Sequence, residues 1–121
     1  MHGCTVSGVY CHFSVVPIAP VSVTVDMSTV TPESAIVTWS PLTGAYTGGF
    51  DVVRYIVSYK RVDEDWYMAQ TLDAEPDVSQ VTVDDLEPLS AYIASVKGVN
   101  ALGEGFPAES QIFSTPELCE L

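Results

Sequence analysis

Four side chains of metal-ligating type fall within the first dozen residues: His2, Cys4, Cys11 and His12. Thiolates and imidazoles hold structural zinc, which takes four such donors in a tetrahedron. The spacing here matches no finger or ribbon pattern, so a loose segment is the preferred reading and no metal site is expected. His2 and His12 are also the only histidines. A hydrolytic nucleophile needs a base held within hydrogen-bond reach, and nothing in that segment would orient one. Asp63-Glu64-Asp65 and Asp84-Asp85 offer carboxylates but lack the alternating acidic spacing and glycine of a calcium loop. They read as solvated surface. Gly103-Glu104-Gly105 lacks the strand-to-helix setting of a phosphate cradle. The chain is therefore not expected to be an enzyme or to hold a cofactor.

The basic residues are the more distinctive set. All four, Arg54, Lys60, Arg61 and Lys97, fall on two strand-like runs. Alternation of side chains along a strand puts Arg54, Lys60 and Lys97 on one outward face, beside Ile56, Ile93 and Val99. A small cationic and apolar patch of this kind is a candidate partner-binding surface. The competing reading is that these charges pair with acidic neighbours across strands and only solubilise the sheet.

Such a patch stands out against its background. Sixteen acidic residues give a formal net charge of -12, which repels phosphate backbones and anionic lipid, so neither nucleic acid nor a membrane surface is an expected partner. At 121 residues, 47% hydrophobic and 17% charged, the chain suits one domain with a real core. No apolar stretch is long enough to cross a bilayer, and no basic segment followed by a sustained apolar run opens the sequence. None of Cys4, Cys11 and Cys119 lies on an expected core strand, so an antibody-type bridge between strands is ruled out and the compartment stays open. The single asparagine, Asn100, is followed by Ala101-Leu102 and is no glycosylation acceptor.

The elements that would position the patch are all strands. Val21–Val25 alternates apolar and hydroxyl residues after Pro17 and Pro20. Ala35–Trp39 puts Ala35, Val37 and Trp39 on one face. Residues 41–51, rich in Gly, Pro and Thr, make a long turn. Val52–Arg61 turns Tyr55, Val57 and Tyr59 inward, Trp66–Leu72 reads as a strand of unassigned facing, and residues 73–77 turn around Pro76. Ser79–Val83 follows, with Val81 and Val83 inward. Leu86-Glu87-Pro88-Leu89-Ser90-Ala91-Tyr92 then sets Leu, Pro, Ser and Tyr at two-residue intervals ahead of a strand in which Tyr92, Ala94, Val96 and Gly98 share a face. Residues 101–105 form a last loop and Gln111–Ser114 a last strand. About seven short strands with regular turn signals predict an all-β antiparallel sandwich.

From about Pro17 to Pro116 these residues resemble a fibronectin type III domain. The resemblance rests on Trp39, on Tyr55, Val57 and Tyr59, on Leu86, Pro88, Ser90 and Tyr92, and on Asn100 and Gly103. It implies two sheets, the first, second and fifth strands facing the third, fourth, sixth and seventh. Trp39, Tyr55, Val57, Tyr59, Leu86, Tyr92 and Val96 would then make the structural core. It implies too that the Tyr92 hydroxyl bonds a backbone group a few residues upstream. Gly98 stands where the family more often has alanine, and Phe106 or Phe113 would fill the space. The Arg-Gly-Asp adhesion tripeptide is absent from the loop after the sixth strand, as is the Trp-Ser-x-Trp-Ser signature, so no ligand-binding residue carries over. The expected organisation is residues 1–16 as an extension, 17–117 as the domain and 118–121 as a tail. The resemblance implies a non-catalytic interaction or spacer module, monomeric by itself, binding a protein partner or its neighbours in a larger cell-surface, adhesion or secreted protein. The alternatives are an accessory domain of a secreted enzyme and an intracellular scaffold module.

Overall fold

The computed structural model describes residues 15–118. Its strands are β1 (Val23–Val25), β2 (Ala35–Trp39), β3 (Arg54–Arg61), β4 (Gln70–Ala74), β5 (Gln80–Val83), β6 (Ala91–Asn100), β7 (Gly103–Glu104), β8 (Ala108–Glu109) and β9 (Phe113–Ser114). They form two antiparallel sheets, β1-β2-β5 and β4-β3-β6, with β7, β8 and β9 all paired to β6. The three short pieces act as one strand. The register against β6 slips by one residue between β7 and β8 and again between β8 and β9 (Val99↔Glu104, Val96↔Ala108, Tyr92↔Phe113). An extra residue at each slip bends the strand, as a bulge does. Pairing therefore starts at Gly103, inside the stretch expected as loop.

Alternation decides what lies between the sheets. Val23, Val25, Ala35, Val37 and Trp39 from one sheet meet Tyr55, Val57, Ala74, Tyr92, Ala94 and Val96 from the other, with Leu86 and Phe113. Trp39 is 3% exposed, and its ring centroid lies 5.3 Å from that of Tyr55 at 53°. The Tyr55 hydroxyl accepts a hydrogen bond from the Leu42 N–H at 2.9 Å, so a buried phenol meets a buried amide and neither is stranded. At the opposite end the Glu87 N–H donates to the Tyr92 hydroxyl at 2.8 Å. Tyr92 stacks on Phe113, centroids 6.0 Å apart. Tyr59 turns inward, is half-buried and packs against the core from the open side.

Two further details depart from the sequence reading. Trp66–Met68 is a 3-10 turn and the fourth strand runs from Gln70 to Ala74. The last β3–β4 pair is Tyr59↔Gln70, and a connection that long exceeds a tight hairpin, so its surplus winds into a turn. Gly98 is filled by neither phenylalanine: Phe106 is 62% exposed, and Phe113 lies beside Tyr92. Leu42 takes the space, with its Cδ1 2.6 Å from where a Gly98 Cβ would stand, and Pro17 lies next to it. Val15, the first described residue, is tied to the sandwich. Its N–H donates to the Gly48 carbonyl (2.7 Å), and its carbonyl accepts from the Asn100 amide (2.7 Å). Gly48 has φ 82° and sits against the Val15 carbonyl, where a Cβ would collide.

Candidate functional site

The outward face of β3 and β6 is built from directly opposed pairs: Arg54↔Val99, Ile56↔Lys97, Ser58↔Ser95 and Lys60↔Ile93. All six residues of the expected patch thus share one face. They are not equally available. Lys60 is 8% and Val99 5% exposed, whereas Arg54, Ile56, Ile93 and Lys97 are half-buried. Lys60 is covered because the β3–β4 connection lays Trp66 over it, the ammonium 4.9 Å from the ring centroid. Its Nζ also donates to the Arg61 carbonyl at 3.3 Å. A cation against an indole face is stabilised by the ring quadrupole, which lets a lysine be buried without a carboxylate.

The remaining cations have acidic partners. Lys97 Nζ lies 2.7 Å from Glu104 Oε1, across the β6–β7 hairpin. Arg54 Nε lies 3.5 Å from Asp73 Oδ2, on the neighbouring β4, an ion pair too long for a good hydrogen bond. Arg61, on the inward parity but at the strand end, reaches Glu87 at 3.0 Å. The Lys97 ammonium, by hydrogen bond first and charge second, holds the Glu104 carboxyl below its ordinary value. Cross-strand pairing therefore describes the charges as they stand. Between the walls of Trp66 and Pro107 a shallow cleft of about 330 Å³ is floored by Ser58 and Ser95 and edged by Lys97 and Glu109.

Sequence reasoning missed Trp66, Asp73 and Glu104 as part of this face. For Glu104 a signal existed, a carboxylate close to a strand end carrying Lys97; for Trp66 none did, since its facing depends on how a long connection folds. Among the described residues, no group of three or more His, Cys, Asp or Glu side chains is placed to hold a metal. The zinc reading of His2, Cys4, Cys11 and His12, like Cys119, lies outside the described residues.

The strand order, the indole between the sheets and the phenol at the corner belong together in one known pattern, and the fibronectin type III domain family model matches residues 19–115. The chain belongs to the fibronectin type III domain family. This fibronectin type III module is 38% identical over 92 residues to the mouse protein "Cell adhesion molecule-related/down-regulated by oncogenes". The match takes 75% of this chain and 7% of that protein, so the module corresponds to a small part of its relative. Among solved structures it is similar to the third fibronectin III domain of the human KIAA0343 protein, with 26% identity, TM-score 0.72 and 87% of each chain covered. It is also similar to part of a chain comprising titin kinase and its flanking domains, with 25% identity, TM-score 0.68, and 84% of this chain and 18% of that one covered. No helix among the described residues is long and apolar enough to cross a membrane.

Proposed function

We propose that this module is a non-catalytic protein-interaction or spacer unit of a larger, modular adhesion protein at the cell surface or secreted from the cell. The observation that carries this reading is its likeness to a stretch that makes up 7% of a cell adhesion molecule-related protein. A module of that relative size works through its neighbours and its exposed faces.

The contact surface we assign is the outward face of β3 and β6 in a reduced form: Arg54, Ile56, Ile93 and Lys97, with Trp66 at its margin. Lys60 and Val99 share that face but are buried, so they are left out of the contact set. The ion pairs do not disqualify Arg54 and Lys97, because exposed pairs are worth only about 0–1 kcal/mol and can be exchanged for a partner's carboxylates. The test is a surface-resonance screen of the chain against purified ectodomains, repeated with Arg54→Glu/Lys97→Glu. At least about a tenfold loss of affinity for any hit is expected. Unchanged binding of every hit would remove the patch, and the absence of any hit would leave the spacer role.

A second reading, an accessory module beside a catalytic domain, is supported by the likeness to the titin kinase chain. The two readings separate on what adjoins the module in its parent protein: further copies of the same fold, or an enzyme domain.

A further inference from the structure

We propose that the outer edge of β4 accepts an extended peptide segment, alternating basic and apolar residues, as an added strand. The two lateral sides of the sandwich differ. On one side the edge of β1 is occupied by a side chain: Gln111 Nε2 donates to the Val25 carbonyl at 2.7 Å, and the Val25 N–H donates to Gln111 Oε1 at 3.2 Å. There the amide of Gln111 stands in for a neighbouring strand. The opposing strand on that side, β7–β9, is broken twice by register slips. On the other side β4 runs in unbroken five-residue register with β3 and, among the described residues, pairs with β3 alone. Its sequence, Gln70-Thr71-Leu72-Asp73-Ala74, contains no proline, glycine or lysine. A regular edge of this kind is a template for another strand.

The chemistry of the occupant follows from the pleat. Gln70, Leu72 and Ala74 oppose Tyr59, Val57 and Tyr55 and so face the space between the sheets, while Thr71 and Asp73 face outward. Leu72, with Tyr59 and Val81, is half-buried at that open side. An added strand would cover Leu72 with an apolar side chain and set its next residue beside Asp73. Carboxylates continue at both ends: Glu64 and Asp65 before β4, Glu75 and Asp77 after it. A cleft of about 330 Å³ near Gln70 holds Glu64, Asp85 and Glu87 together with Lys60 and Arg61; Glu87 is already paired with Arg61 at 3.0 Å, which leaves Glu64 and Asp85 to meet a terminal cationic side chain. A second copy of β4 is disfavoured, because its own Asp73 and Glu75 would be brought against like charges. The same carboxylates guard against acidic segments and leave basic ones admissible.

The test is an NMR titration of the isotope-labelled chain with a peptide of about seven residues alternating lysine and valine, the length that spans β4. Shifts confined to Gln70–Ala74 and the adjoining cleft are expected. N-methylating one alternate set of peptide amides should weaken binding at least about tenfold, and methylating the other set should have little effect, because only one edge of the peptide bonds to β4. Replacing lysine by glutamate should abolish binding. The idea fails if a blocked, non-alternating peptide of the same composition binds as tightly, if neither or both methylated sets matter, or if shifts map to Ser58, Ser95 and Trp66. It also fails if nothing binds. The probes change the ligand and leave the protein intact, so loss of folding cannot imitate a negative result. A failed Arg54→Glu/Lys97→Glu test would not touch this proposal, which concerns a different surface.

Discussion

On their inward face β3 and β6 carry Tyr55, Val57, Ala94 and Val96, sealed against Trp39 and Val37; one residue along, the same strands carry Arg54, Ile56, Ile93 and Lys97, half-open and set among carboxylates. A single backbone register serves both. The inward set is fixed by volume and by two phenol–amide bonds. The outward set is held by ion pairs that water and salt weaken. Stability is therefore expected to respond steeply to the first set and slightly to the second, which leaves the second available to be changed for binding.

The largest break in that contrast would come at Trp39. Truncation to alanine removes the indole that spans the two sheets and should cost roughly 3–5 kcal/mol by chemical denaturation. That is a large share of what holds a small domain together. A loss under about 1 kcal/mol would mean the core can collapse around the gap, and the inward face would no longer be the determining one.

Gly98 sharpens the comparison, because there the inward face has been solved in an unusual way. Leu42 reaches over the glycine to where a methyl would sit, at 2.6 Å. Gly98→Ala must push the end of the Leu42 side chain aside, a cost that the backbone freedom saved by alanine in a strand partly offsets, so a net loss of no more than about 1 kcal/mol is expected. In a Leu42→Val background the same change should cost distinctly less, a coupling that a double-mutant cycle would show. Additive effects would mean Leu42 moves aside freely.

How far this architecture could be read in the residues follows the same division. The inward face is legible, because alternation puts Val37 with Trp39 and Tyr55 with Val57 on one side of their strands, and the family resemblance makes that side, with Tyr92, the interior. The corner is legible only through the family resemblance, which implies a backbone partner a few residues upstream of Tyr92; that this partner is the Glu87 amide is the structure's finding. What escaped was whatever depends on the path of connections. Trp66 covers Lys60 only because the β3–β4 link winds into a turn. Leu42 fills Gly98 only because of how the chain leaves β2, and a strand pattern has nothing to say about a residue after the strand ends. Alternation gives facing but not cover, which is why it assigns Lys60 and Val99 to the patch although both are buried.

The corner supplies a smaller effect on the inward side. Tyr92→Phe keeps the ring against Phe113 and removes the acceptor of the Glu87 N–H. It should cost about 1 kcal/mol, and somewhat more if that amide finds no water. A neutral result would assign the work at this corner to ring packing, and Tyr92→Ala should then show a loss of several kcal/mol.

The smallest effect belongs to the outward face and is best read by pH. Lys97 lowers the Glu104 carboxyl below its ordinary value of 4.5. A carboxyl whose folded value is depressed adds stability that is present above the unfolded value and is lost as pH falls through the folded one. The window therefore lies just below pH 4.5 and extends downward. Lys97→Met should return Glu104 to the ordinary range in a carboxyl-carbon NMR titration. It should also flatten the stability profile in that acid window, and change stability at neutral pH by less than about 1 kcal/mol. Should Lys97→Met cost as much as Tyr92→Ala, the outward face would be structural after all. Arg54 and Lys97 would then be poor candidates for residues that trade one carboxylate partner for another.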